Sequence, residues 1–452
     1  MGLKLKKVIT VLLALSMILI SLTACGGSSA NTTEKTAVAG QTTAASTAAA
    51  TTGSSNVTTI KIGNTQPFSG PSAAAATVSK NAFELALEII NNKHPEINLP
   101  FAATEGIPNK GGAKIEFVWG DNKSTAQDAM SEAENLITNK KVVLMTGGQF
   151  SGTTAAASEV SERLGIPYIN DTASSPALNT RGYKWYFSIT PDDKDFAEMF
   201  FSFIDELKAS GKKIDNIGLA YLNTAFGMDG AKAIKDIATT KNLKVVSDLM
   251  YDSKTTNLSG EIQKLKAANP NLLIPISNVT DAVLLMKTMK DMNYVPQAIL
   301  AQNAGFNERE FLKMLGDDGN YILARDLFSP SLGDKNPLVK QISDMFYQKY
   351  GYYMNGQGAR SFQAAFVIAD VLNRAKSFSP EDIRTAIKET DLKADSMIVP
   401  WQGVKFNDTG KNTFGRGIIN QIQDQKYVTV YPKDVAVAEV VWPFPAWDAR
   451  KK

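Results

Sequence analysis

The segment Val142–Asn179 reads VVLMTGGQFSGTTAAASEVSERLGIPYINDTASSPALN, and its reading decides the fold. Val142 to Met145 is a short apolar run of the kind carried by a parallel strand buried on both faces. Gly147 and Gly148 interrupt it. Ser151 then occupies the position of a helix N-cap, and Ala155, Ala156, Ala157, Val160 and Leu164 are spaced as a helix face. Gly165 ends that helix, and Ile166 to Ile169 forms a second buried strand. Asn170 to Ser175 is a turn of small hydroxyl residues closed by Pro176. The whole is a parallel βαβ unit. Ligands in open α/β sheets gather at the carboxyl ends of strands. Two neighbouring strand ends here offer Ser151, Thr153, Thr172 and Ser174, together with free backbone N–H groups. That pair of turns suits a small anion, and a carboxylate fits it. Taken singly, each residue is equally an ordinary cap or turn residue; the pairing is what points to a site.

Working outward, the same alternation precedes and follows. Thr59 to Gly63 is a strand, Gln66 to Gly70 a turn, and Ala73 to Lys93 a helix. Lys114 to Trp119 alternates as a strand, and GDNKST caps a helix from Ala126 to Asn139. Tyr186 to Pro191 is extended and leads out of this first block into a helix from Asp195 to Ser210. The pattern then restarts, with strands at Asn216–Tyr221, Lys244–Met250, Leu272–Ile276 and Ala298–Leu300. Helices are expected between them at Met228–Thr239, Leu258–Ala268 and Thr280–Met292. After Ala324 to Leu327 the chain is looplike to Asn336. Helices follow at Pro337–Tyr350, Gln357–Ala375 and Pro380–Glu389, then closing strands at Val404–Phe406, Gly417–Gln423 and Tyr427–Tyr431. This is an α/β architecture built twice, each time as a doubly wound parallel sheet.

The amino terminus is of another kind. Met1 to Ala24 has a basic start, an apolar run from Val8 to Ile20, then Ser21-Leu22-Thr23-Ala24-Cys25. The run is short for a membrane span and fits a signal peptide over residues 1–24. Residues 25–57 are Gly, Ser, Thr and Ala with almost no large apolar side chains. Such a stretch cannot bury enough surface to fold and reads as a flexible tether.

Composition narrows the function. The formal net charge is +3, but Lys4, Lys6 and Lys7 lie in the leader; without them the 48 basic residues become 45, against 45 acidic. No basic stripe is present, so nucleic acid is not an expected partner. The single Cys, Cys25, excludes disulfides within the chain. The single His, His94, lies in the polar loop NNKHPE, which leaves Cys/His metal sites and Ser-His-Asp catalysis without support. A hydrolase built on Ser151 would need a G-x-S-x-G elbow, and Gln149 stands at its first Gly position. No catalytic residue, cofactor or metal is expected.

Several stretches in order carry a resemblance: IKIG, QPFSG, GGQFSG, TASSP, WYFSITPDD and AFGMDG. Over roughly Ile60 to Tyr431 the chain resembles the leucine/isoleucine/valine-binding branch of the type I solute-binding proteins, which serve ATP-binding-cassette importers. Leu22-Thr23-Ala24-Cys25 resembles the bacterial lipobox. The lipobox resemblance implies cleavage before Cys25 and acylation there, hence a membrane anchor on the outer face of the cytoplasmic membrane. That face is extracellular in a Gram-positive-type envelope and periplasmic otherwise. The family resemblance implies two Rossmann-like lobes joined by three crossovers near Ser188, Ser329 and Gly403. Lobe 1 would take residues 58–188 and 329–403, and lobe 2 residues 189–328 and 404–452.

The family's carboxylate contacts fall on Ser151 and on Thr172, Ala173 and Ser174. Its covering aromatic falls on Phe226, where Tyr is replaced by a ring that offers only packing. The acid that meets the ligand ammonium falls on Asn303, a neutral amide that cannot supply a charge-assisted bond. Asn278 completes the expected second wall. The implied mechanism is capture of a small solute by hinge closure, with delivery to a permease, by a protein expected to be monomeric. The solute is a neutral or branched-chain amino acid, or a small organic acid or amide. A ligand-binding sensor docking on a receptor is the other reading.

Overall fold

The computed structural model describes residues 58–70 and 72–450. The expected leader, Cys25 and the tether to residue 57 lie outside the described residues.

Five strands make the first sheet: β1 (Thr59–Gln66), β2 (Lys114–Asp121), β3 (Leu144–Gly147), β4 (Tyr168–Asn170) and β5 (Tyr186–Ser188). All are parallel, in the order β2-β1-β3-β4-β5. Short apolar strands of this kind are buried on both faces and need helices on each side. On one face Ile60 and Ile62 of β1 pack with α1 (Ala73–Asn91) and, from later in the chain, α9 (Pro337–Tyr350) and α10 (Gly356–Arg374). On the other, Met145 and Tyr168 pack with α2 (Ala126–Thr138) and α3 (Ser151–Leu164).

The second sheet has seven strands. Its parallel part is β6 (Asn216–Leu222), β7 (Lys244–Tyr251), β8 (Leu272–Ile276), β9 (Ala298–Ala301) and β10 (Leu323–Asp326). Antiparallel β13 (Ile418–Gln423) and β14 (Lys426–Tyr431) close it beyond β10, giving β14-β13-β10-β9-β8-β6-β7. Helices α4 (Asp193–Ala209) and α5 (Ala225–Thr240) cover one face. Helices α6 (Ser259–Ala268), α7 (Val279–Asp291) and α8 (Arg309–Leu315) cover the other.

Two expectations shift. Val404–Phe406 was expected as a strand closing a lobe. Instead β12 (Gly403–Lys405) pairs only with β11 (Asp391–Lys393), after α11 (Pro380–Lys388), in a separate two-stranded ribbon. The chain then returns beside β5: Ser188 N donates to Gly410 O at 2.8 Å, and Asn412 N to Ser188 O at 2.8 Å. The third passage to the seven-stranded sheet therefore follows Asn412, not Gly403. Lys411 pins it to the start of α4 through Asp192 (2.7 Å) and Asp195 (2.8 Å). Among the described residues no helix is long and apolar enough to cross a membrane.

In each sheet the strand order reverses once, between β1 and β3 in the first and between β6 and β8 in the second. Connections leave these pairs in opposite directions, opening a crevice at their carboxyl ends. Val142–Asn179 supplies one side of the first crevice.

Candidate functional site

At the first crevice β3 ends in a turn that only glycine can make twice. Gly147, Gly148 and Gln149 have φ of +90°, +95° and +64°. A Cβ on Gly148 would lie 2.3 Å from Thr154 Oγ1. The N-cap of α3 is Phe150, not Ser151, and no side chain caps the helix. Thr153, expected to offer its hydroxyl, donates it to the carbonyls of Gly148 and Phe150. Ser151 is instead the first helical residue. Its Oγ is buried and has no partner among the described residues. The first turn of α3 adds N–H groups that no intrahelical carbonyl can accept. A buried hydroxyl beside an uncapped helix N-terminus has the donors and the dipole end that an anion would use.

The turn after β4 meets this one. Thr172 Oγ1 lies 3.4 Å from Gln149 O, and Thr172 O accepts from Arg360 Nη1 at 2.8 Å. The backbone N–H groups of Thr172 and Ala173 both go to Asn170 Oδ1 (3.3 and 2.9 Å), so they are not free as the sequence suggested. Asn170 thus holds the turn rigid and leaves Ser174 facing the start of α4. Ser174 O accepts from Asp193 N at 2.7 Å.

Asp193 is the residue that sequence reasoning missed. It is fully buried in the first turn of α4. Its Oδ1 accepts from Gln302 Nε2 at 3.1 Å and lies 3.7 Å from Arg325 Nη2, while its Oδ2 has no hydrogen-bond partner among the described residues. Burial pushes its pKa up to about 7, opposed by Arg325 and by the Ser174 hydroxyl. Arg325 is itself buried over the ring of Phe196, 3.6 Å from its centroid. Its Nε and Nη1 have no hydrogen-bond partner among the described residues, and desolvation lowers its pKa to about 9. The signal available was the PDD run at the lobe crossing, where the helix was expected to start two residues late.

The second wall comes from β6, β8 and β9. Phe226 stands in the first turn of α5, which begins before the expected Met228, and is half-buried against the core of the seven-stranded lobe. Asn278 is the N-cap of α7 but makes no side-chain cap bond. Asn303 has φ +59° and hydrogen-bonds its own neighbour's N–H, that of Ala304. A left-handed conformation of this kind selects Asn for its backbone, whatever else it does. Asn278 and Asn303 adjoin: Gly305 N donates to Ser277 O at 2.9 Å, and a Cβ on Gly305 would strike Asn278 C at 2.3 Å.

The walls face each other. Helices α3 and α5 approach with backbones within 8 Å, and Ser175 Oγ hydrogen-bonds Asp229 of α5 across the gap. Gln302, next to Asn303, reaches Ser174 through Asp193. Thr172 thus meets the turn that leads into Ser151, Ser174 meets the start of α4, and Gln302, beside Asn303, meets Asp193. The single histidine pairs with Glu96 instead, at 3.2 Å. No three or more His, Cys, Asp or Glu side chains group as a metal site among the described residues.

This architecture matches known proteins. The family model "Periplasmic binding protein" matches residues 59–424. "Leu/Ile/Val-binding protein homolog 7" of Brucella abortus (strain 2308) is 28% identical over 392 residues, covering 85% of this chain and 94% of that protein. Among solved structures, the branched-chain amino acid transporter substrate-binding protein LivJ of Streptococcus pneumoniae, in complex with isoleucine, superposes with a TM-score of 0.67. It is 21% identical and covers 85% of this chain and all of that one (100%). A solute-binding protein of an ABC transporter from Rhodopseudomonas palustris BisB5, in complex with 3,4-dihydroxy benzoic acid, gives a TM-score of 0.68 at 15% identity, covering 86% and 98%. With one parallel and one largely parallel sheet and the matched region spanning most of its length, the chain belongs to the periplasmic binding protein family.

Proposed function

We propose that this protein is a lipid-anchored, extracytoplasmic solute-binding protein that captures a small carboxylate-bearing zwitterion by hinge closure and delivers it to the permease of an ABC importer. Ser151 and the first turn of α3 hold the carboxylate, with the Thr172–Ser174 turn as the other side of its cradle. Asp193 takes the ammonium in place of the acid expected at Asn303. An α-amino acid carries its ammonium and carboxylate on one carbon, so the acid must lie beside the cradle, and the Asp193 backbone N–H donates to Ser174 O. Phe226 covers the solute from the other lobe, with Asn278 and Asn303 behind it. Closure removes water, so each of these bonds counts for more. Anchoring rests on the lipobox-like segment ending at Cys25.

The observation that carries this reading is the buried, unpartnered Ser151 hydroxyl at an uncapped helix N-terminus. The LivJ complex with isoleucine, a protein of the same fold, agrees with it. A second reading, a small organic acid lacking an ammonium, is favoured by the neutral Asn303 and by the dihydroxybenzoate complex. Calorimetry of the full chain with neutral amino acids and with the matching carboxylic acids decides between them. Amino acids binding tighter than their deaminated analogues supports the zwitterion; no binding by either class refutes the proposal.

A further inference from the structure

Beside Ser151, the crevice between β1 and β3 holds more buried polar groups than a carboxylate needs. Asn64 Nδ2, Gln66 Oε1 and Gln149 Oε1 are all buried without a partner among the described residues. Asn64 and Gln66 lie on one face of β1, and Gln66 Nε2 donates to Asn64 Oδ1 at 3.1 Å. Exchanging O and N in both amides reverses that bond but leaves the same remainder, one open donor and one open acceptor. Gly147 locates the pair. A Cβ there would fall 2.3 Å from Asn64 Oδ1 and 3.1 Å from Gln66 Nε2. The amides therefore fill the space over the residue that opens the turn to Ser151. Gln149 stands in that same turn, its carbonyl tied to Thr172.

Buried amides are rarely left open in native proteins. An aliphatic chain packed here would seal them off from any partner, which is the costly outcome. A tail with its own donor and acceptor would satisfy them, and the three side chains are neutral, so no charge is called for. We infer that the far end of the solute is a carboxamide or ureido group held by Asn64, Gln66 and Gln149, rather than a branched aliphatic chain. This rests on the proposal that the solute's carboxylate is held at Ser151, and it makes the β1 end the specificity-determining element.

The test is calorimetry of the full chain with glutamine, asparagine and citrulline against leucine, isoleucine and valine. An amide- or ureido-bearing amino acid is expected to bind at least about tenfold tighter than any aliphatic one. Gln66→Met should weaken that solute at least about tenfold more than it weakens leucine, since it removes the amide and keeps the volume. If Gln66→Met fails to fold, Gln149→Met is read by the same ratio. Leucine, isoleucine or valine binding as tightly as the amides overturns the tail assignment but leaves the carboxylate reading standing. So does a variant that weakens both classes alike. No binding by any of the six to the unmutated protein overturns both.

Discussion

Replacing Ser151 by Ala separates a binding hydroxyl from a structural one. A capping Ser replaced by Ala would cost about 1 kcal/mol of stability. Here the cap is Phe150, and Ser151 Oγ is buried with no partner among the described residues, its residue only 3% exposed. Without solute the substitution therefore removes an unsatisfied group, and the protein should be unchanged or gain up to about 1 kcal/mol. With solute the balance reverses. A hydrogen bond to an ionised carboxylate contributes about 1.5–3 kcal/mol, so Kd should rise by about tenfold to 150-fold. Urea denaturation of the solute-free protein and calorimetry with the best-binding solute measure the two halves. An affinity within about twofold of the parent would remove Ser151 from the site. A solute-free stability lowered by about 1 kcal/mol or more would show that the hydroxyl serves the helix after all.

Asp193→Asn should lower amino-acid affinity by about tenfold to a hundredfold while sparing carboxylic acids without an ammonium, measured by calorimetry. Because Asp193 is held near pKa 7 in the solute-free protein, zwitterion affinity should fall as pH drops below about 7, where the proton must first be displaced. Its folded pKa lies above the ordinary value, so the folded state keeps a proton that the unfolded chain loses between about pH 4 and pH 7. Solute-free stability should accordingly decrease as pH rises through that range. Glu308, raised to about 8, and Asp326, raised to about 6, push the same way. A urea midpoint higher at about pH 8 than at about pH 5 would contradict this. Gly148→Ala, with φ +95° and Thr154 Oγ1 at 2.3 Å, should destabilise by roughly 2–4 kcal/mol. Gly152→Ala, in a helix with open space around it, should be neutral or stabilising by about 0.5–1 kcal/mol; equal urea midpoints for the two would refute the turn geometry. Cys25→Ala should move the protein from the membrane fraction to the medium or periplasm, and fractionation showing it still membrane-bound would refute lipid anchoring.

Much of the scaffold was legible because it is written in short range. Leu272–Ile276 and Pro337–Tyr350 were read with the observed ends, since an apolar run and a Pro at the first helical turn are local signals. Strand ends were read short, as at β1, where Asn64, Thr65 and Gln66 continue the strand. Polar residues there look like a turn, and only the neighbouring strands reveal them as paired. The Ser151 cap was misassigned by one residue because Gln149 adopts positive φ and the turn runs tighter than its glycines alone suggest. The short ribbon of β11 and β12, and the return of Asn412 beside β5, depend on pairing across long sequence separations. Asp193, Gln302, Arg325 and Arg360 could not be gathered from spacing. They lie far apart in sequence and meet only where the two sheets adjoin.

The chain's first described strand, β1, sits inside the five-stranded sheet, flanked by β2 and β3. The chain upstream of Thr58 therefore enters that lobe through β1. If the upstream segment is held at a surface, the five-stranded lobe becomes the stator and the seven-stranded lobe the rotor. A reporter dye on the exposed Met250 edge of the seven-stranded lobe would then sweep relative to the bilayer when solute enters, while one on Tyr347 of the anchored lobe would stay still.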